Sequence, residues 1–126
     1  MLIDKYSTTI DIKLDAGVYV FDNQSSTGKT RLYKELRECQ KYGENVAAYS
    51  YDDKLLGINM DTVLDSKYKV ILIDRYDMFL NEKIEKITEL SDKSIILIDC
   101  KHDSYLDCEV EYCYINMEPY RIEVEE

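Results

Sequence analysis

The sequence predicts an α/β fold, a three-layer sandwich in which helices flank a mostly parallel sheet and antiparallel strands sit at its N- and C-terminal margins. Three observations predict it. Short, wholly apolar segments such as Val70-Ile71-Leu72-Ile73 and Ile95-Ile96-Leu97-Ile98 have the pattern of strands buried on both faces. Segments of helical period alternate with them, the order expected of a parallel-sheet domain. The first and last segments have no helix between them and a neighbouring strand, which suits antiparallel additions at the margins. No repeat, low-complexity tract or Gly/Ser-rich linker divides the 126 residues. One domain over 1–126 is therefore expected.

Tyr6 to Leu14 alternates around Ile10, Ile12 and Leu14, which predicts a half-buried strand. After the turn Asp15-Ala16-Gly17, Val18 to Phe21 reads as a buried strand. A polar loop, Asp22 to Thr27, leads into a helix from Gly28 to Tyr42 with Leu32, Leu36 and Cys39 on one face and Gly43 at the C-cap. Val46 to Tyr51 is the next predicted strand, followed by a short helix within Leu55 to Leu64 that Gly57 weakens. Val70 to Ile73 is a strand ending in Asp74. Asn81 is placed to cap a helix carrying Ile84, Ile87 and Leu90. Ile95 to Ile98 is a strand ending in Asp99. Glu109 to Glu126 reads as two strands broken near Met117-Glu118-Pro119, with the acidic stretch Glu118 to Glu126 as a solvated edge.

Composition narrows the function. Hydrophobic residues make up 45% and charged residues 33%, which excludes a disordered or collagen-like chain. There are 26 acidic against 16 basic residues, a net charge of -10. Binding a phosphate backbone depends on clustered cations, so direct nucleic-acid binding and anionic membranes are disfavoured as partners, while a basic protein surface is not. No apolar run approaches the roughly 20 residues of a membrane span, and Met1 to Lys5 lacks a secretory pattern. Cys39, Cys100, Cys108 and Cys113 have no CxxC spacing, and His102 is the one histidine. These are expected to be free thiols in a reducing cytoplasm. His102, in Cys100-Lys101-His102-Asp103, reads as a surface-loop residue, and the 12 tyrosines as packing groups, with exposed ones favouring a protein interface.

One constellation carries chemistry. The strand Val18 to Phe21 runs into Asp22-Asn23-Gln24-Ser25-Ser26-Thr27-Gly28-Lys29-Thr30, and a helix follows at once. Gly28 permits a tight turn, so consecutive N–H groups can face one phosphate, and the helix N-terminus adds partial positive charge there. Downstream, Val70 to Ile73 delivers Asp74. Together these segments resemble the Walker A and Walker B motifs of P-loop NTPases of the ABC and AAA kind, which makes the expected sheet a P-loop-type one. The resemblance implies that Asn23, Gln24, Ser25, Ser26, Thr27, Gly28, Lys29 and Thr30 cradle the phosphates of ATP or another NTP. It implies Lys29 on the β- and γ-phosphates, and Thr30 and Asp74 as the protein ligands of Mg2+.

The chain departs from that pattern twice. Asn23 stands where the family has its first glycine, and Asn tolerates the left-handed region better than most residues. Arg75 stands where many ABC and AAA ATPases carry a Glu that polarises the attacking water. A cation cannot act as that base, so Asp77 becomes the nearest replacement, its other reading being a loop or capping acid. Asp99 occupies the place of a polar sensor. Two roles are open for Arg75: pairing with an acidic neighbour, or contact with the γ-phosphate.

The resulting expectation is a nucleotide-binding protein, with ATP favoured because no N-K-x-D motif is present. Lys29, Asp74 and Asp77 are its candidate catalytic residues, and hydrolysis is expected to be slow or dependent on a protein partner. The competing expectation is an acidic protein-interaction module, or a phage- or mobile-element-encoded inhibitor of the DNA-mimic or anti-defence type, on the same scaffold with a vestigial site. A small-molecule kinase is disfavoured because no Arg-rich lid segment is present.

Overall fold

A computed structural model describes residues 1–22, 26–101 and 106–126, the side chains of 26 and 27 excepted. Eight strands form one mixed sheet, curled into a half-barrel. They are β1 (Leu2–Ile3), β2 (Thr9–Lys13), β3 (Gly17–Phe21), β4 (Val46–Tyr49), β5 (Val70–Ile73), β6 (Ile95–Ile98), β7 (Glu111–Glu118) and β8 (Arg121–Glu125). Their order across the sheet is β1-β2-β8-β7-β3-β6-β5-β4. The helices are α1 (Ser26–Lys41), α2 (Tyr51–Leu55) and α3 (Ile84–Leu90), with 3-10 turns at Met60–Thr62 and Tyr76–Phe79.

This corrects the expected three-layer α/β sandwich with a mostly parallel P-loop-type sheet: the sheet is a curled mixed one, and only 28% of the chain is helical. The physical reason lies in the tail and in the connections. β7 and β8 form an antiparallel hairpin, but it enters the middle of the sheet, with β7 parallel to β3 and β8 parallel to β2. The acidic tail strand β8 is therefore flanked on both sides rather than lying at an edge. β7 and β8 bury alternate residues only, so their outer face needs no helix layer. α2 and α3 have 5 and 7 residues, too short to cover eight strands.

α1 packs on the face that both halves of the sheet share. Leu32, Leu36 and Cys39 meet Val46, Leu72 and Leu97 from the parallel strands and Ile10, Ile12, Ile122 and Val124 from the others. Gly43 (φ 85) ends the helix, its N–H bonding Gln40 O and the Glu44 N–H bonding Cys39 O, the left-handed termination a glycine permits. The opposite face of β3–β6 is covered by Met60, Val63, Leu64, Tyr76, Phe79 and Ile87. α2 begins earlier than predicted because Ser50 caps it: the Ser50 hydroxyl accepts from the Asp53 N–H, and Asp53 accepts from the Ser50 N–H. Asn81 does not cap α3. It is itself left-handed (φ 61), and Lys83 occupies the cap.

All four cysteines are free, Cys39 and Cys113 buried and Cys100 and Cys108 half-buried. Among the described residues no helix is long and apolar enough to cross a membrane. His102 lies outside the described residues.

Candidate functional site

Strand register builds the site. Across β4, β5, β6 and β3, Tyr49 pairs with Ile73, Ile73 with Ile98, and Ile98 with Val20. The strands run in one direction, so the residues that follow them, Ser50, Asp74 and Asp99, emerge in a row at the carboxyl ends. Adjacent strands lie about 4.8 Å apart, which brings the Asp74 and Asp99 carboxyls together. Backbone bonds fix the row: the Asp74 N–H donates to Tyr49 O at 2.9 Å and the Asp99 N–H to Ile73 O at 3.0 Å. Such an edge, outside the carboxyl ends of parallel strands, is the usual ligand crevice of α/β sheets.

A cleft of about 1100 Å³ opens there, lined by Lys29, Thr30, Lys34, Asp52, Asp74, Arg75, Asp77, Asp99 and Lys101 among others. The structure thus gathers four of the sequence-predicted residues, Lys29, Thr30, Asp74 and Asp77, around one cavity. Lys29, in the first turn of α1, reaches across to Asp99 with Nζ–Oδ1 at 3.3 Å. Gly28 is buried beneath it in the same turn. Ser26 and Thr27 start the helix. Asn23, Gln24 and Ser25, and the side chains of Ser26 and Thr27, lie outside the described residues.

Asp74 is electrostatically unusual. Burial, then the hydrogen bond and charge of neighbouring Asp99, raise its pKa to about 6 against an opposing pull from Arg75. Asp74 thus faces the Asp99 carboxyl across adjacent strand ends, an arrangement that favours a shared proton or a bound cation. Arg75 stands in the left-handed region (φ 50, ψ 51). Its Nε lies 3.6 Å from Asp74 Oδ2 and its Nη2 3.8 Å from Asp52 Oδ2. Of the two roles open to Arg75, pairing with acidic neighbours is the one this geometry displays.

Four supporting residues, Tyr33, Arg37, Ser50 and Asp53, were missed. The Arg37 Nη1 and Nη2 atoms donate to Asp53 Oδ2 and Oδ1, both at 2.8 Å, and Nη1 also donates to Ala48 O at 2.9 Å. The Tyr33 hydroxyl donates to Asp53 Oδ2 at 3.2 Å, and the Ser50 N–H to the same oxygen at 2.8 Å. Burial pushes the Asp53 pKa up, but these donors outweigh it and hold the net value below 3.8. The network ties α1 to α2 behind the cleft. Its signals are readable: Ser50-x-x-Asp53 is a capping box, and Tyr33 and Arg37 share a helix face at i, i+4.

The donor set suits a hard cation brought by a ligand. Mg2+ is usually held by one or two carboxylates plus substrate phosphates and water. Asp74 and Asp99 offer those oxygens, with the Thr30 hydroxyl on the same cleft, and no larger His, Cys, Asp or Glu group that could hold a metal is found among the described residues. The sequence matches no protein-family model and no curated protein. The likeness to P-loop NTPases therefore rests on the motif residues themselves.

Proposed function

We propose that the protein binds a nucleoside triphosphate, with ATP favoured, in the cleft at the carboxyl ends of β3–β6, and hydrolyses it slowly or only with a protein partner. The observation that carries this reading is the juxtaposition of Lys29, on the first turn of α1, with the Asp74–Asp99 pair. A cation and helix N–H groups attract phosphate, and the carboxylates complete a cation site beside it. Bound Mg2+ would supply charge neutralisation, with Thr30 and Asp74 as the residues to hold it. Lys29 would give up its contact with Asp99 to meet phosphate. Thr30 and Asp74 orient the cation, and Asp77 on the cleft wall is the remaining candidate to accept a proton from water. No Glu follows Asp74, which supports slow turnover. The four free thiols fit a cytoplasmic location.

A second reading has its own support. Leu55 and Leu56 at the end of α2, and Met78 and Leu80 at the end of the neighbouring 3-10 turn, are 69%, 78%, 49% and 86% exposed. Apolar side chains so exposed favour a protein-interaction role, the module or inhibitor reading, with the nucleotide site vestigial.

Calorimetric titration with ATP, GTP and a non-hydrolysable ATP analogue, with and without Mg2+, separates the two. The expected result is Mg2+-dependent binding that Lys29→Ala weakens at least about tenfold, because the lysine meets phosphate in ground and transition states alike. Lack of binding at millimolar nucleotide, or equal affinity in Lys29→Ala, leaves the interaction reading.

A further inference from the structure

The two strand-end carboxylates of the cleft, Asp74 and Asp99, each have a tethered cation. Lys29 Nζ stands 3.3 Å from Asp99, and Arg75 stands between Asp74 and Asp52. The two tethers differ in kind. The Lys29 side chain is 17% exposed and the Arg75 side chain 52% exposed. At 3.6 and 3.8 Å the Arg75 contacts are ion pairs beyond hydrogen-bond distance. Such a pairing is weak in solvent and readily exchanged.

The backbone under Arg75 is left-handed, as it is at Leu80, Asn81 and Lys83, and of these four residues Arg75 is the one that lines the cleft. A left-handed conformation is unfavourable for a side-chain-bearing residue, and here it heads the 3-10 turn Tyr76–Phe79 with no side-chain cap. Neighbours hold it in place: the Tyr76 N–H donates to Asp99 O at 2.7 Å, and the Met78 N–H to Arg75 O at 3.0 Å. A left-handed residue held only loosely by two cleft carboxylates is the kind of outlier that points to a functional position.

We propose that Arg75 is a tethered counter-ion of Asp74 and Asp52 which a divalent cation must displace, and that its released guanidinium then pairs with the phosphate ligand accompanying that cation. This rests on the nucleotide-binding reading and deepens it. The chain thereby favours a cation that arrives with phosphate over a bare one, since only then does Arg75 regain a partner. Arginine suits the second role because its planar fork matches phosphate oxygens.

The proposal makes opposite predictions for two ligands of one variant. Mn2+ alone is titrated by the electron paramagnetic resonance of the free ion, and the Mg2+ complex of a non-hydrolysable ATP analogue by calorimetry. Arg75→Gln should bind Mn2+ about three- to tenfold tighter than wild type, the scale of a partly exposed ion pair, and the Mg2+–analogue complex about tenfold more weakly. Arg75→Lys keeps the charge and should stay within about twofold of wild type for Mn2+. Arg75→Gly suits the left-handed backbone and should show the same inversion, which guards against a misfolded Gln variant.

Mn2+ affinity that falls or stays level in both Arg75→Gln and Arg75→Gly overturns the proposal, as does tighter binding of both ligands. A wild type that binds no nucleotide, while the Mn2+ gain still appears, defeats the nucleotide reading and the phosphate half of this proposal together. The counter-ion half then stands by itself.

Discussion

In the half of the sheet formed by β3, β6, β5 and β4, nearly every residue is buried, whereas in β2, β7 and β8 buried and exposed residues alternate. The first half has α1 on one face and the 3-10 segments with α3 on the other. The second has α1 on one face and a charged ladder on the other, where Arg121 meets Asp11 at 2.8 Å and Lys13 meets Glu123 at 3.4 Å. The difference locates the chemistry. A doubly covered parallel half must end its strands level and hide every side chain along them. Polar groups can appear only where the strands stop, and Asp74 and Asp99 do so side by side. In the singly covered half, polar residues spread along the strands instead.

The largest effect should come from testing that contrast directly. Ile71 is fully buried on the face away from α1, and Ile71→Ala should cost about 2–5 kcal/mol, the range for a core truncation that cannot collapse. Asn116 is exposed on β7, so Asn116→Ala should stay within about 0.5 kcal/mol of wild type. Urea midpoints at constant m-value measure both. Comparable costs at the two sites would mean the halves are covered alike, and the contrast would fail.

The α1–α2 brace behind the cleft should give the next effect. Asp53→Asn leaves the Arg37 cation without its carboxylate, at about 2 kcal/mol near neutral pH. Asp53 has its pKa depressed in the fold, so its stabilisation is present above the unfolded value near 3.8 and is lost as pH falls through the lower folded value. The gap between wild type and Asp53→Asn should therefore be widest above about pH 5 and close progressively below pH 3.8. A constant gap down to pH 2 would assign Asp53 a packing role alone.

The halves also differed in how far the sequence could be read. Apolar runs such as Val70 to Ile73 and Ile95 to Ile98 announce themselves, because burial on both faces leaves no room for a polar residue. The same logic marked Asp74 and Asp99 as strand-end acids, and the Gly28-Lys29-Thr30 turn as their neighbour. Two-residue β1 is too short to have a pattern. The alternation in β2, β7 and β8 shows that one face is buried but is silent on which strand each will pair with. Placing the hairpin of β7 and β8 between β2 and β3 depends on long-range packing against α1, including Arg31, whose Nη1 donates to Glu118 O at 2.8 Å. The α2 boundary was legible in the Ser50–Asp53 box but lost to the apolar Leu55-Leu56, which the structure leaves exposed. Of the left-handed residues Arg75, Leu80, Asn81 and Lys83, only Asn81 is of a type that favours that region, so the other three had no signal.

The smallest effect has an inverted sign, and it sharpens the comparison most. At the strand-end row the doubly covered half buries charge against like charge. Asp74 has a pKa raised to about 6 by burial and by Asp99, so its protonated form is the one the fold prefers. Stability from that preference is present below the unfolded value near 3.8 and is lost as pH rises through about 6. Asn does not titrate and brings no charge, so Asp74→Asn should match wild type near pH 4 and exceed it at pH 7 to 8. The gain should be on the order of 1–2 kcal/mol after discounting for solvent around the carboxylate. It should be accompanied by loss of Mg2+-dependent nucleotide binding, the trade expected where a site keeps a destabilised group for its ligand. Glu125→Gln on the singly covered half has no such paired acid across adjacent strand ends and should show no comparable gain. Thermal midpoints of the three proteins between pH 4 and 8, without divalent cations, decide the matter. If Asp74→Asn is no more stable than wild type at pH 8, the carboxylates are already neutralised within the fold, and the row of strand ends is an ordinary ion-pair network rather than a site held ready for a cation.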